Sequence, residues 1–127
     1  MSPKKKRYTV KEVYLEYCEK GRYGKPYGTT RKQDSLWKNH IFKRFGKKYI
    51  DDISVSQVVD YLSELYYEEG RAFKYVESFL KMFYLIFGQA YSRGYLDVDK
   101  YNTLCVNKNS KIHMPKMKID DEDEIIS

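Results

Sequence analysis

Few residues in this chain are of a type and spacing that could run a reaction. Its two histidines, His40 and His113, stand far apart, and no GxSxG, HExxH, P-loop or paired-carboxylate pattern accompanies them. His40 falls on the apolar side of a helical stretch, where a satisfied, partly buried ring is expected. The acid run Asp120 to Glu124 lacks the spacing and the glycine of a calcium loop, and reads as a solvated linker. None of the fourteen tyrosines is paired with an identifiable base. Cys18 and Cys105 form no CxxC or Cys/His cluster, so neither a disulfide framework nor a zinc site is suggested, and Cys18 reads as a core filler. The expectation is a chain without catalytic residues, cofactor or metal.

The chemistry the sequence does offer is cationic. Residues 1–50 hold fifteen Lys/Arg against four Asp/Glu, a balance of +11, whereas residues 51–127 hold nine against fourteen, a balance of −5. Clustered cations gain free energy by releasing counterions from a phosphate backbone, so the basic half points to a polyanion partner. The cations concentrate on one face of "TTRKQDSLWKNHIFKRFG". A helical wheel puts Arg31, Ser35, Lys38 and Phe42 opposite Trp37 and Ile41, flanked by Lys32, Asn39 and Lys43, with Thr29 or Thr30 as N-cap. Arg, Lys, Gln and Asn are the side chains that reach base edges and clamp phosphates. A second cluster, Arg71, Lys74, Ser78 and Lys81, opens a later helical stretch.

Four segments with helical periodicity must position these groups, each stopped by a glycine. Val10, Val13, Tyr14, Tyr17 and Cys18 form the first stripe, with Thr9 and Glu12 spaced as a capping box and Gly21 as the stop. Gln33, Trp37, His40, Ile41 and Phe45 form the second, ending at Gly46. Val55, Val58, Val59, Leu62, Leu65 and Tyr66 form the third, between a Ser54/Gln57 capping box and Gly70. The fourth, "AFKYVESFLKMFYLIFGQAYSRG", is apolar almost all round and must be surrounded by other helices. Ile50 and Ile53 dip into the core from the linker before Ser54. One short helical turn is expected after Gly94, and from Ser110 onward the pattern dissolves. No apolar run approaches a membrane span and no signal segment is evident, which reads as a soluble, cytoplasmic protein encoded by a bacterium or phage.

The ensemble of Thr30, Trp37, His40, Ile41, Gly46, Ile50, Asp52 and Ile53, followed by Val76, Phe87, Ala90, Gly94 and Leu96, resembles the core-binding domain of tyrosine recombinases, the phage-type integrases. Asp34 stands where that family usually has tyrosine, and its Asn-Pro after the last helix is missing. The resemblance implies an all-α, orthogonal four-helix bundle of the SAM-like type. It implies a basic arm over residues 1–8, a DNA-binding domain over 9–106 and a linker over 107–127 toward a catalytic domain of the same parent chain. The domain would contact duplex DNA at a recombination core site without catalysing, with protomer contacts in the DNA-bound assembly. Carried over position by position, the DNA-facing residues are Thr29, Thr30, Arg31, Gln33 and Lys38, with Arg71, Lys74, Ser78 and Lys81. The wheel adds Lys32 and Ser35. The competing reading is a helical protein-interaction module whose basic surface is incidental.

Overall fold

The computed structural model describes residues 6–104, 112 and 114–117. The expectations placed on the first five residues, Cys105, His113 and the acid run lie outside them. Among the described residues the chain is all-α, with one isolated antiparallel bridge between Thr9 and Tyr49 and no strand. The helices are α1 (Val10–Glu16), α2 (Tyr27–Leu36), α3 (Phe42–Phe45), α4 (Val55–Ser63), α5 (Phe73–Ser92) and α6 (Val98–Leu104). None is long and apolar enough to cross a membrane.

Both expected capping boxes form. Thr9 Oγ1 accepts from Glu12 N while Glu12 Oε1 accepts from Thr9 N, and Ser54 and Gln57 repeat the arrangement at α4. The other free donors at the start of α1 are met from the chain after α3, since Val10 N donates to Lys48 O and Lys11 N to Gly46 O. The ring and carbonyl of Phe42 leave room only for glycine at position 46. A Cβ there would sit 2.7 Å from Phe42 O and 2.9 Å from Phe42 Cε2.

Three π turns extend the helices: Tyr17–Gly21 after α1, Trp37–Ile41 between α2 and α3, and Glu64–Glu68 after α4. Along the rod formed by α2, the second π turn and α3, the buried residues Gln33, Trp37, Ile41 and Phe45 recur every four positions. At 3.6 residues per turn each such step drifts by about 40° around an α-helix, and a wider i→i+5 turn takes up the drift and holds the four on one face. The apolar stripe was legible; the widened turn that keeps it straight was not.

α5 is the central helix. It buries Val76, Phe79, Leu80, Met82, Phe83, Ile86, Phe87 and Ala90 against α1, α4, α6 and two of the π turns. Phe83 packs edge-on to Phe45 at 5.3 Å and to Tyr61 at 6.2 Å, and Trp37 stacks on Tyr14 at 4.4 Å. Ile50 and Ile53 are buried as expected. Tyr61, outside the expected stripe, is buried as well, and desolvation pushes its hydroxyl up to about 12. The described residues of the expected linker also reach the core: Ile112 is buried, its carbonyl accepts from Tyr84 at 3.4 Å, and Lys116 O accepts from Tyr67.

Candidate nucleic-acid interface

The rod Tyr27–Phe45 begins earlier than the threonines suggested. Pro26 is its N-cap, so neither Thr29 nor Thr30 caps it. Proline fixes the extended approach, and Thr30 Oγ1 instead donates to Tyr27 O inside the first turn. The threonine hydroxyls therefore lie along the rod, one turn in from its positive end.

The rod's two sides face different neighbours, and the expected site residues divide between them. Thr29, Lys32, Gln33 and Leu36 line a groove of about 250 Å³ together with Ser78, Lys81, Met82 and Leu85 of α5. Five residues expected from two distant stretches of sequence thus meet in one place: Thr29, Lys32, Gln33, Ser78 and Lys81. Lys38 lines a different groove, of about 460 Å³, with Lys11, Tyr14, Leu15, Cys18, Arg22, Asp34, Trp37 and Phe42. Arg31 and Ser35 are exposed, Ser35 accepting from Asn39 Nδ2 at 3.2 Å.

The first groove has a cationic rim and an apolar floor. Lys81 carries an i,i+4 ion pair with Glu77 at 3.8 Å but remains largely exposed. Among the described residues Arg31, Lys32, Lys38 and Lys74 form no ion pair, which leaves their charge available to an anion. Ser78 Oγ donates to Lys74 O at 3.2 Å, so toward a ligand it offers lone pairs. Arg71 is not among the residues that line this groove; it pairs with Glu69 at 3.6 Å and lies over the Tyr75 ring at 5.5 Å. Gln33 faces inward: it is buried, and its Oε1 accepts from Tyr17 OH at 3.3 Å. It supports the groove from beneath rather than projecting from the rod. His40 is partly buried, with Nε2 3.2 Å from Tyr75 OH and its ring edge-on to Phe79.

Two carboxylates that sequence reasoning left without a role hold the helices that carry this face. Asp34 accepts from Tyr14 OH at 2.6 Å and takes a two-pronged hydrogen bond from Arg22 at 2.9 and 3.2 Å. Desolvation opposes ionisation of Asp34, but Arg22 and Tyr14 outweigh it and hold the carboxyl below its usual range. Glu16 accepts from Tyr95 OH at 2.7 Å and Gln89 Nε2 at 3.2 Å and pairs with Arg93 at 2.6 Å, tying α1 to the end of α5. Desolvation likewise raises its pKa, and Tyr95, Gln89 and Arg93 bring the net shift below the ordinary value.

Both shifts are downward on folding, so the stability these carboxylates supply is complete above their unfolded values of 3.8 and 4.5 and is lost as pH falls through the folded ones. Urea midpoints should be level between about pH 7 and 5 and fall steeply toward pH 3. Glu16→Gln should cost about 1–2 kcal/mol at neutral pH and little near pH 3, because it removes a charged acceptor that acid would neutralise anyway. Equal losses at both pH values would show that the Glu16 charge contributes nothing.

Part of this helical frame is similar in sequence to a known domain. Residues 9–66 match the family described as phage integrase, N-terminal SAM-like domain. No curated protein and no solved structure matches the chain. The integrase match begins at the N-cap of α1 and ends in the π turn after α4. Thr29 to Lys38 fall inside the SAM-like segment. Arg71, Lys74, Ser78 and Lys81 fall beyond it, and it is the groove shared by the rod and α5 that joins Ser78 and Lys81 to the integrase-like part.

Proposed function

We propose that this chain is the DNA-binding, non-catalytic domain of a tyrosine recombinase, contacting duplex DNA at the recombination core site beside a catalytic domain of the same parent protein. The observation that carries the reading is the groove that joins Lys32 of the integrase-like segment to Lys81 of α5; Arg31, Lys38 and Lys74, which form no ion pair among the described residues, add charge elsewhere on the rod and α5. Thr29 and the Ser78 lone pairs supply short polar contacts between the cations. Most of the affinity comes from phosphates, because backbone-reaching cations outnumber side chains placed to read base edges. Gln33, buried under the rod, acts through the groove's shape.

The second groove favours a competing reading. Its floor of Tyr14, Trp37 and Phe42, with Leu15 half exposed beside it, suits a protein contact. Salt separates the two. About four phosphate contacts give a log–log slope near −3.6, a loss of roughly 10²-fold in duplex affinity between 50 and 200 mM salt. Anisotropy titrations that are flat across that range, or show no binding at low salt, would remove the DNA reading.

A further inference from the structure

The loop before the rod and the rod's first two residues, "RYGKPYG", carry the two most exposed large aromatic side chains among the described residues: Tyr23 is 83% and Tyr27 77% exposed. Scattered single exposed aromatics are ordinary, but two within five residues on a basic, glycine-flanked loop form a patch. Among the described residues neither side chain makes a ring contact or a hydrogen bond. The neighbouring backbone is open too, since a Cβ placed on Gly24 or Gly28 would meet nothing within 4 Å.

The loop's root is nonetheless fixed. Arg22 is held by Asp34 through two hydrogen bonds and reaches Thr30 O at 3.5 Å, and its side chain is only 15% exposed. Lys25 N closes the turn onto Arg22 O at 3.3 Å, Gly24 takes φ +82°, and Pro26 sets the entry into the rod. The two rings therefore leave a braced turn, and less conformational entropy is lost when something settles on them. Lys25 lies between them in sequence, and Arg31 and Lys32 follow within the first turns of the same rod.

Flat rings beside unpaired cations are what an unpaired nucleotide requires: a face for the base and a charge for the adjoining phosphate. A fully stacked duplex offers its phosphates to Lys25 but no base face to the tyrosines. We propose that the segment Arg22–Gly28 is a stacking platform for unpaired bases, with Tyr23 and Tyr27 as the ring faces and Lys25 on the neighbouring phosphate. This deepens the DNA reading and rests on it. It makes the domain a sensor of locally opened DNA as well as a duplex binder.

The test compares a fully paired duplex with the same duplex carrying a three-base unpaired bubble, each titrated with the wild-type chain, Y23A/Y27A and Y23F/Y27F. Stacking of one base predicts about fivefold or more tighter binding to the bubble by the wild type. The alanine pair should lose that preference while holding duplex affinity within about twofold, because only phosphate contacts serve the paired form. The phenylalanine pair should keep the preference, since the ring face and not the hydroxyl carries it. Both sites are exposed, and circular dichroism confirms the fold of each variant. Duplex binding with equal affinity for the bubble, or a preference untouched by Y23A/Y27A, overturns the platform and leaves the DNA reading standing; the second result assigns the tyrosines to a protein contact. Salt-insensitive or absent binding to both probes overturns the two together.

Discussion

Truncating both lysines of the shared groove, Lys32→Ala with Lys81→Ala, is expected to weaken duplex binding about 60-fold at 0.1 M salt. Each phosphate contact contributes about 0.9 to the log–log salt slope, which is about eightfold in affinity between 1 M and 0.1 M, and two contacts multiply. The slope itself should flatten by about 1.8, a signature that general unfolding does not produce. Neither lysine supports the fold: Lys32 is exposed without an ion pair among the described residues, and Lys81 meets only Glu77 on its own helix. Lys20→Ala is the matching control, because that lysine sits among Glu12, Glu16 and Glu19, where the local field repels a phosphate. Arg31→Ala with Lys38→Ala should cost less than about tenfold, since Lys38 belongs to the groove on the α1 side. A larger loss from that second pair would place the DNA on the α1 side of the rod.

The largest effect on stability is expected from Phe83→Ala, at about 3–5 kcal/mol. Phe83 is 2% exposed and joins three helical rods, packing edge-on to Phe45 and Tyr61 and stacking on Phe87 at 6.0 Å. Deletion of the ring removes its transfer free energy and leaves a void between helices whose other side chains are already locked together. Domains of this size have about 5–15 kcal/mol in total, so most of the stability goes, and the melting temperature should fall by about 15 °C or more. Phe83→Leu keeps much of the volume and should cost about 1.5 kcal/mol. Thermal melts followed at 222 nm measure both variants. A loss below about 1 kcal/mol for the alanine variant would mean that α5 does not centre the core.

The capping boxes at Thr9/Glu12 and Ser54/Gln57 and the burial of Val10, Trp37, Ile41, Phe45 and the α5 stripe were legible, because capping and amphipathicity depend on residues three or four positions apart. The rod's true start at Pro26 was obscured by two threonines that looked like better caps, and Tyr61 fell between the positions of a cleaner valine and leucine stripe. The π turns could not be read, since they answer to a packing demand from other helices.

The sequence by itself determined the helical segments, the apolar side of each and the concentration of cations in residues 1–50, all of them properties of near neighbours along the chain. The tertiary structure alone decided which cations act together. Lys32 and Lys81 lie forty-nine positions apart and meet because the rod and α5 pack side by side, whereas Lys32 and Lys38, six apart, line different grooves. Arg22, by formal charge one more cation of the basic half, is neutralised against Asp34. Helix periodicity says which way a side chain points from its own axis. What lies across the gap is fixed by the long-range packing of the core, and the electrostatics of the site follow from that.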